Sequence, residues 1–135
     1  LINKNGDVID KYLKLVKEEI NIKEERAQPF VKQLHYHLGI LSKFTDWIKE
    51  KIKNSPEDAS GACNDYLKVL GLVATGHAWL KVLEVSFKEY NSNKNFYEDK
   101  IQTANFFYNR ILPRIDSNYI TATTGSNYIM NYKFN

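Results

Sequence analysis

The sequence predicts an all-α fold, namely an antiparallel up-down four-helix bundle followed by an irregular C-terminal tail. Helix breakers are scarce, with 6 Gly and 3 Pro in 135 residues, which favours a few long helices over many short strands. Apolar residues recur every three or four positions in four separate segments, the spacing that places them on one side of a helix. Short polar connections join these segments, and short connections make neighbouring helices antiparallel.

The first two helices are predicted at residues 7–22 and 28–53. Pro29 stands at the front of the second helix, where its missing N–H costs least. Thr45 is the one polar residue in the stripe of that helix. The first apolar stripe consists of Ile9, Leu13, Val16 and Ile20, and the second of Val31, Leu34, Leu38, Leu41, Ile48 and Ile52.

The third helix is predicted at residues 57–90. Ser55 supplies a cap hydroxyl before it, Pro56 suits its first position, and Glu57 and Asp58 are acids in the first turn, where the helix dipole favours them. Its apolar stripe runs without a break through Ala62, Tyr66, Val69, Val73, Gly76, Leu80, Leu83 and Phe87.

The fourth helix is predicted at residues 96–114, and Pro113 is expected to end or kink its last turn. Asn95 with Glu98 resembles a capping box at its start. Its stripe consists of Tyr97, Ile101, Ala104, Tyr108, Ile111 and Ile115.

The domain division predicted from these patterns is a bundle over residues 1–116 and a tail over residues 117–135. The tail is rich in Thr, Ser, Asn and Tyr, and the helical spacing fails in it. It nevertheless keeps several apolar side chains, so we expect it to pack on a surface of this domain or of a neighbour. Those side chains are Tyr128, Ile129, Met130, Tyr132 and Phe134.

The composition excludes several classes of protein. A net charge of +3 on a surface of mixed sign does not indicate the clustered basic patch that nucleic-acid-binding proteins have. A single cysteine, Cys63, excludes an intrachain disulfide and any multi-cysteine metal site, and it favours a reducing, cytoplasmic compartment. The most apolar stretch, residues 69–80, is too short to span a bilayer, so no membrane span is expected. Because the chain begins at Leu1 rather than Met, we expect it to be a piece of a longer protein.

The residues that could carry chemistry do not form a familiar motif. His35 and His37 are two positions apart, which turns their side chains to different sides of a helix and prevents joint chelation of one metal. His77 lies beside the third stripe, where a hydrogen bond to a buried partner is the favoured role. The acidic pairs lie at helix ends or beside lysines, which is typical of solvated positions. Cys63 is expected to be a small buried residue.

The third helix contains two glycines, Gly71 and Gly76, each of which costs about 1 kcal/mol of helix propensity relative to Ala. Gly76 falls on the apolar stripe, so we expect another backbone, or a bulky side chain such as Trp47, to approach it closely. A ligand resting on this glycine is the alternative. The many aromatic residues either fill the core or form a docking face, and the core is the favoured place for most of them.

Two segments resemble a known family. Residues 65–80 resemble the third helix, and residues 100–113 the fourth helix, of the C-terminal extension in bacterial acyl-CoA dehydrogenases, in the branch that includes 3-methylmercaptopropionyl-CoA dehydrogenases. In the fourth helix the recurring features are Thr-Ala, a Phe pair and a final Leu-Pro. The residues that carry the resemblance, taken as a packing and docking signature, are Tyr66, Gly71, Gly76, Trp79, Thr103, Ala104, Phe106, Phe107, Leu112 and Pro113.

The resemblance implies a parent enzyme that binds FAD and removes two hydrogens from the α and β carbons of an acyl-CoA thioester. It implies that the catalytic domains of the parent chain are partners of this segment, that the parent is a homodimer, and that the parent alone binds the acyl-CoA. The family's Tyr-Glu-Gly-Thr stretch, which holds the catalytic base in many relatives, does not occur in these 135 residues. No catalytic, cofactor-binding or metal residue is therefore assigned, and the segment itself is predicted to be inactive.

Three hypotheses follow for the function. The favoured one is an accessory domain that serves assembly of the parent enzyme. The second is a free-standing helical module for protein interaction, which a start codon next to Leu1 would favour. The third is a bundle that binds a small ligand or metal through His77 and nearby aromatic residues.

Overall fold

The computed structural model describes residues 7–131, and every regular element in that range is helical, which confirms the predicted all-α class. Short 3-10 turns at Glu25–Ala27 and Tyr90–Ser92 connect the longer helices. The α-helices are α1 (Asp7–Glu19), α2 (Gln28–Asn54), α3 (Pro56–Lys88), α4 (Lys94–Phe106), α5 (Arg114–Thr123) and α6 (Asn127–Met130).

α2 and α3 pack side by side and are joined by a single residue, Ser55. Two contacts show their relative direction. Thr45 of α2 hydrogen-bonds Tyr66 of α3 near the connection. At the far end, Arg26 in the turn before α2 donates to the carbonyl of Phe87. The residue numbers fall along one helix as they rise along the other, so this pair is antiparallel.

A π-helical turn at Phe107–Ile111 interrupts the predicted fourth helix. The amide of Leu112 donates to the carbonyl of Phe107, five residues earlier, at 2.9 Å. Pro113 follows directly, and because its ring lacks an N–H and crowds the preceding turn, the regular helix cannot continue through it. The chain resumes as α5, so Pro113 changes the helix locally instead of ending the helical segment.

The segment after residue 116, expected to be irregular, continues as helix through Thr123 and again at Asn127–Met130. Ile115 and Ala122 of α5 are buried, and the helix contacts α3 and α2. Its packing supplies the stabilisation that the weak local spacing did not indicate. Tyr132 and Phe134 of the predicted tail lie outside the described residues.

A turn at Gly125 places the chain after α5 against the start of α3. Gly125 has a φ of 87°, a conformation that glycine adopts without the steric cost of a side chain. The next residue, Ser126, donates from its backbone N–H to Asp58 Oδ1 at 2.8 Å and from its hydroxyl to the same oxygen at 2.7 Å. Asp58 thus holds the end of α5 to the first turn of α3.

Two of the predicted caps differ from the structure. Ser55 makes no side-chain cap to the backbone of α3. The cap of α4 is Asn93 and not Asn95, because Asn93 Oδ1 accepts from the N–H of Phe96 at 3.3 Å. Glu98 is therefore not a capping-box partner, and its carboxylate instead accepts from Tyr90 Oη at 3.0 Å.

The core lies between α2, α3 and the segment from α4 to α5, with α1 covering one side. Leu13, Ile52, Tyr97, Ile101 and Ile111 are only partly buried. The rest of the predicted stripe residues are buried, among them the complete stripe of α3: Ala62, Tyr66, Val69, Val73, Gly76, Leu80, Leu83 and Phe87.

Candidate functional site

The residues of the packing and docking signature do not converge on one place. Gly71, Thr103 and Phe106 are exposed, whereas Trp79 and Pro113 are partly buried. The remaining half lies in the core and consists of Tyr66, Gly76, Ala104, Phe107 and Leu112. The signature therefore combines internal packing positions with solvent-facing positions.

Gly76 is buried where α3 meets two neighbouring segments. A Cβ atom added there would lie 3.0 Å from Leu34 Cδ1 and 3.4 Å from Leu112 Cδ1. The expected approach of another backbone is not seen, because the nearest atoms belong to side chains. Trp47, the example of a bulky partner, packs instead beside Phe44, with the ring centroids 6.1 Å apart. The space above Gly76 is filled by leucine side chains, which leaves no room there for a ligand.

Tyr108 lies in the π-helical turn and reaches the same part of α3. Its hydroxyl donates to the carbonyl of Gly76 at 2.7 Å, and its ring packs edge-on against Phe30 with centroids 5.1 Å apart. Burial raises the pKa of Tyr108 well above its usual value, so the phenol stays protonated and remains a donor. The interaction fixes the π-helical turn against α3.

A second buried hydroxyl pair joins α2 to α3. Thr45 Oγ1 donates to the carbonyl of Leu41 at 2.8 Å and lies 3.0 Å from Tyr66 Oη. Since the threonine proton points to that carbonyl, Tyr66 donates to Thr45. Burial, the main cause, raises the pKa of Tyr66. The hydroxyl of Thr45, the single polar residue in the stripe of α2, thus has two hydrogen-bond partners inside the core.

His37 takes part in a cluster that joins α2 to α5. Its side chain is 97% buried, and Nε2 lies 3.3 Å from Asp116 Oδ2 while Nδ1 lies 2.9 Å from the carbonyl of Gln33. Tyr36 donates to the other oxygen of Asp116 at 2.8 Å, which raises the pKa of Tyr36. His35 is partly buried elsewhere on α2. The cluster holds α5 in place.

His77 and Lys81 of α3 both approach Glu19 at the end of α1. His77 Nε2 lies 2.9 Å from Glu19 Oε2, although the angle does not satisfy a hydrogen bond. Burial lowers the pKa of His77, and the nearby Lys81 lowers it further. The hydrogen bond from Lys81 is the main reason why the pKa of Glu19 is lowered. The expectation that His77 hydrogen-bonds a buried partner is therefore wrong, since the group nearest to its Nε2 is the surface carboxylate of Glu19.

The other candidate ligands are scattered. Within residues 7–131, no three His, Cys, Asp or Glu side chains come together in a way that could hold a metal ion. Cys63 is exposed, contrary to expectation, because it follows the buried Ala62 and one step along a helix turns a side chain by about 100°. Its thiol donates to the carbonyl of Ala59 at 3.3 Å.

A groove of about 450 Å³ lies between the start of α2, the end of α3 and α4. Its charged lining residue, Arg26, is already engaged: the guanidinium pairs with Glu24 at 2.7 Å, donates to the carbonyl of Phe87 at 3.0 Å and stacks over the ring of that residue. The groove therefore offers a ligand mainly apolar contact.

An apolar surface extends over α1 and α3 on the side away from the core. On α3 it contains Leu67, Val82 and Val85, which are 58%, 37% and 52% exposed, and on α1 it contains Val8 and Leu15, which are 49% and 48% exposed. The α3 residues between them, Gly71, Ala74 and Ala78, are also exposed. We call these eight residues the α1/α3 apolar face.

The two parts of the α1/α3 apolar face meet at the C-terminal end of α1. Val8, Leu15 and Glu19 are spaced by seven and four residues, so they share one side of α1. Glu19 contacts His77 and Lys81, which brings the C-terminal end of that side next to α3. Exposed apolar patches of this kind mark interaction sites in soluble proteins.

Because α3 is apolar on its exposed side as well as on its buried side, its length and composition would allow it to cross a membrane. The sequence-based argument considered only residues 69–80 and so missed this. Only 33% of the apolar window is buried within the protein, which reflects an apolar surface on both sides of one helix.

The comparisons with known proteins give one finding. A family model described as acetyl-CoA dehydrogenase C-terminal like matches residues 9–133. No curated protein and no solved structure matches the chain.

Proposed function

Because the chain belongs to the family described as acetyl-CoA dehydrogenase C-terminal like, we propose that it is a helical accessory domain of an FAD-dependent acyl-CoA dehydrogenase. In this role the domain serves assembly of the parent enzyme and takes no part in the chemical step.

The observation that carries the proposal is the α1/α3 apolar face. Burying it against another protein surface would remove several large apolar side chains from water, at roughly 25 cal/mol per Å² of apolar area. The titratable side chains near it have a structural role, because His77 and Lys81 each approach Glu19 and so hold the end of α1 against α3. These groups act as structural partners.

The parent would bind FAD and the acyl-CoA, and the flavin would supply the redox chemistry of α,β-dehydrogenation. We assign neither group to this chain. We also propose that the parent is a homodimer, that it belongs to the 3-methylmercaptopropionyl-CoA dehydrogenase-like branch, and that it works in the cytoplasm. The resemblance of residues 65–80 and 100–113 supports the branch assignment.

We propose that the domain keeps an up-down order of four helices, with the segment from α4 to α5 as the fourth. The contacts between α3 and that segment support this order. Tyr90 before α4 meets Glu98, Gly76 meets Tyr108, and Asp58 meets Ser126, so the residue numbers run in opposite directions.

The proposal is tested by expressing the genomic region upstream of Leu1 together with this chain, as two separate polypeptides. We expect the two to copurify, with FAD and acyl-CoA-dependent reduction of an electron acceptor belonging to the upstream polypeptide. The chain by itself should bind no FAD. A start codon directly before Leu1, or flavin bound to the isolated chain, would contradict the proposal; the former would favour the free-standing module.

A further inference from the structure

A cleft of about 520 Å³ lies between α1 and α2, and we call it the α1/α2 basic cleft. Its titratable lining residues are Lys14 and Lys17 of α1 and His35 of α2, and no Asp or Glu within residues 7–131 lines it. Pockets that hold small molecules typically measure about 300–1,000 Å³ and combine apolar walls with a few polar groups. The apolar part of this cleft consists of Leu13, Leu38 and Gly39.

Helix geometry brings the polar groups of the α1/α2 basic cleft to facing sides. Lys14 and Lys17 are three positions apart, so they share one side of α1. His35, Gly39 and Ser42 are spaced by four and three positions, so they share one side of α2. Because both sides line the same cleft, one ligand can contact two ammonium groups, an imidazole and a hydroxyl.

The two lysines of the cleft are not neutralised by the described part of the chain. Among residues 7–131, no carboxylate oxygen lies within 4 Å of the Nζ atom of Lys14 or Lys17. Asp10, one turn before Lys14, instead accepts from Lys49 Nζ at 2.8 Å, and Glu19 contacts α3. A cleft lined by one sign of charge attracts ligands of the opposite sign, so it favours an anion.

Gly39 keeps the cleft open next to its apolar part. A Cβ atom added there would meet nothing within 4 Å, so no neighbouring group packs over this glycine. A glycine in the middle of a helix is destabilising relative to alanine, and close packing does not account for it here. The buried side chain of Leu38, directly before it, is left accessible to a flat apolar group from the cleft.

We propose that the α1/α2 basic cleft binds a nucleoside monophosphate, whose phosphate pairs with Lys14 and Lys17 while its base lies over Leu38 and Gly39. Lysine is a common phosphate ligand, and a terminal phosphate carries up to two negative charges, which match the two ammonium groups. Inorganic phosphate would leave the apolar part of the cleft in contact with water, whereas a planar base covers it.

The proposed ligand site is separate from the assembly role. At 100° per residue, Leu13 and Lys17 point away from Val8 and Leu15 on α1, so the cleft and the α1/α3 apolar face lie on different sides of that helix. The phosphates of FAD form a diester bridge and include no terminal phosphate, so FAD should not bind in the cleft. Flavin binding therefore tests the proposed function, and binding of a monophosphate tests this site.

The experiment is isothermal titration calorimetry of the full 135-residue chain with AMP and UMP as probes. We expect saturable one-to-one binding that weakens as NaCl is raised, with adenosine and inorganic phosphate each binding at least about tenfold more weakly. Lys14→Gln and Lys17→Gln should each weaken binding about tenfold, the usual effect of losing a hydrogen bond to a charged group. Lys11→Gln, on an exposed lysine of α1 outside the cleft lining, is the matched control and should leave binding unchanged.

A graded pair of substitutions at Gly39 tests the apolar contact without changing any charge. Gly39→Leu, which projects a large side chain into the cleft, should weaken binding of AMP at least about tenfold, and Gly39→Ala should weaken it less. Circular dichroism melts verify that each variant is folded.

Failure of both AMP and UMP to bind, or binding that Lys14→Gln and Lys17→Gln leave intact, would overturn the proposal. Inorganic phosphate that binds as tightly as AMP would overturn it as well, because the base would then contribute nothing. Flotation of the chain with phosphatidylcholine–phosphatidylglycerol vesicles, abolished by Lys14→Gln and not accompanied by AMP binding, would overturn it and assign the lysines to a membrane surface.

Discussion

Gly71 and Gly76 provide a matched pair of substitutions within one helix. Both lie in the middle of α3, so the change to Ala gains the same helix propensity, about 0.5–1 kcal/mol, at either position. They differ in their surroundings, because a Cβ at Gly71 would meet nothing within 4 Å, whereas a Cβ at Gly76 would lie 3.0 Å from Leu34 Cδ1.

At Gly76 the neighbours resist the added methyl group. Leu34 and Leu112 are both 0% exposed, so neither can turn outward to make room, although the methyl ends of their side chains can shift by a few tenths of an ångström. Overpacking a closed core typically costs about 1–3 kcal/mol. We expect a cost of about 1.5 kcal/mol, in the lower half of that range, which leaves Gly76→Ala about 0.5–1 kcal/mol less stable than the parent chain after the propensity gain. Gly71→Ala should be more stable by a similar amount.

The assay is urea unfolding followed by circular dichroism, with thermal melts in parallel. For a chain of this length, 1 kcal/mol corresponds to roughly 3–5 °C in Tm, so the two variants should move in opposite directions by a measurable amount. Gly76→Leu should be the least stable of the three. Equal stabilisation by the two alanine substitutions would refute the close-packing argument, because it would show that the core around Gly76 yields without cost.

Three further predictions follow from single contacts. Tyr108→Phe should lower the free energy of unfolding by about 0.5–1.5 kcal/mol in urea titrations, since it removes a buried hydrogen bond; an unchanged value would show that the bond adds nothing. The pKa of Asp58 is lowered to about 2, chiefly by the N–H and hydroxyl of Ser126, so this carboxylate stabilises the fold above pH 4 and the benefit is lost as the pH falls from about 4 to 2. The stability difference between the parent chain and Asp58→Asn should therefore shrink across that window, and a constant difference would contradict the assignment. Asn93→Ala should cost about 1 kcal/mol in thermal melts while Asn95→Ala costs less, and the reverse order would restore Asn95 as the cap of α4.

The sequence alone determined which residues share one side of a helix, because a stripe that repeats every three to four positions lies on one side. The stripe of α3 from Ala62 to Phe87, for example, is buried as a unit. The family could also be recognised from the sequence. The two segments that carry the resemblance, residues 65–80 and 100–113, lie within the range that the family model matches. The exposure of Cys63 could have been read from its position next to Ala62 in the same way.

The sequence determined the ends of the helices less well than their buried sides, because several residues near each end have the same capping chemistry. Asn93 and Asn95 are both good cap residues, and only the path of the chain out of the turn at Tyr90–Ser92 decides which one meets a free N–H. Pro113 is a helix breaker by its local chemistry, yet α5 follows it, because Ile115 and Ala122 are buried on packing against the rest of the bundle. Local propensity is weak compared with that burial.

Only the tertiary structure decided which apolar side of α3 is covered. The helix is apolar around most of its circumference, so its sequence contains two stripes, one through Val73 and Gly76 and another through Leu67, Gly71 and Val85. Nothing within the helix distinguishes them, since burial depends on which neighbours the connections bring to each side. The chain supplies α2, α4 and α5 to cover the first stripe, and the second faces solvent because the described part of the chain places no helix over it.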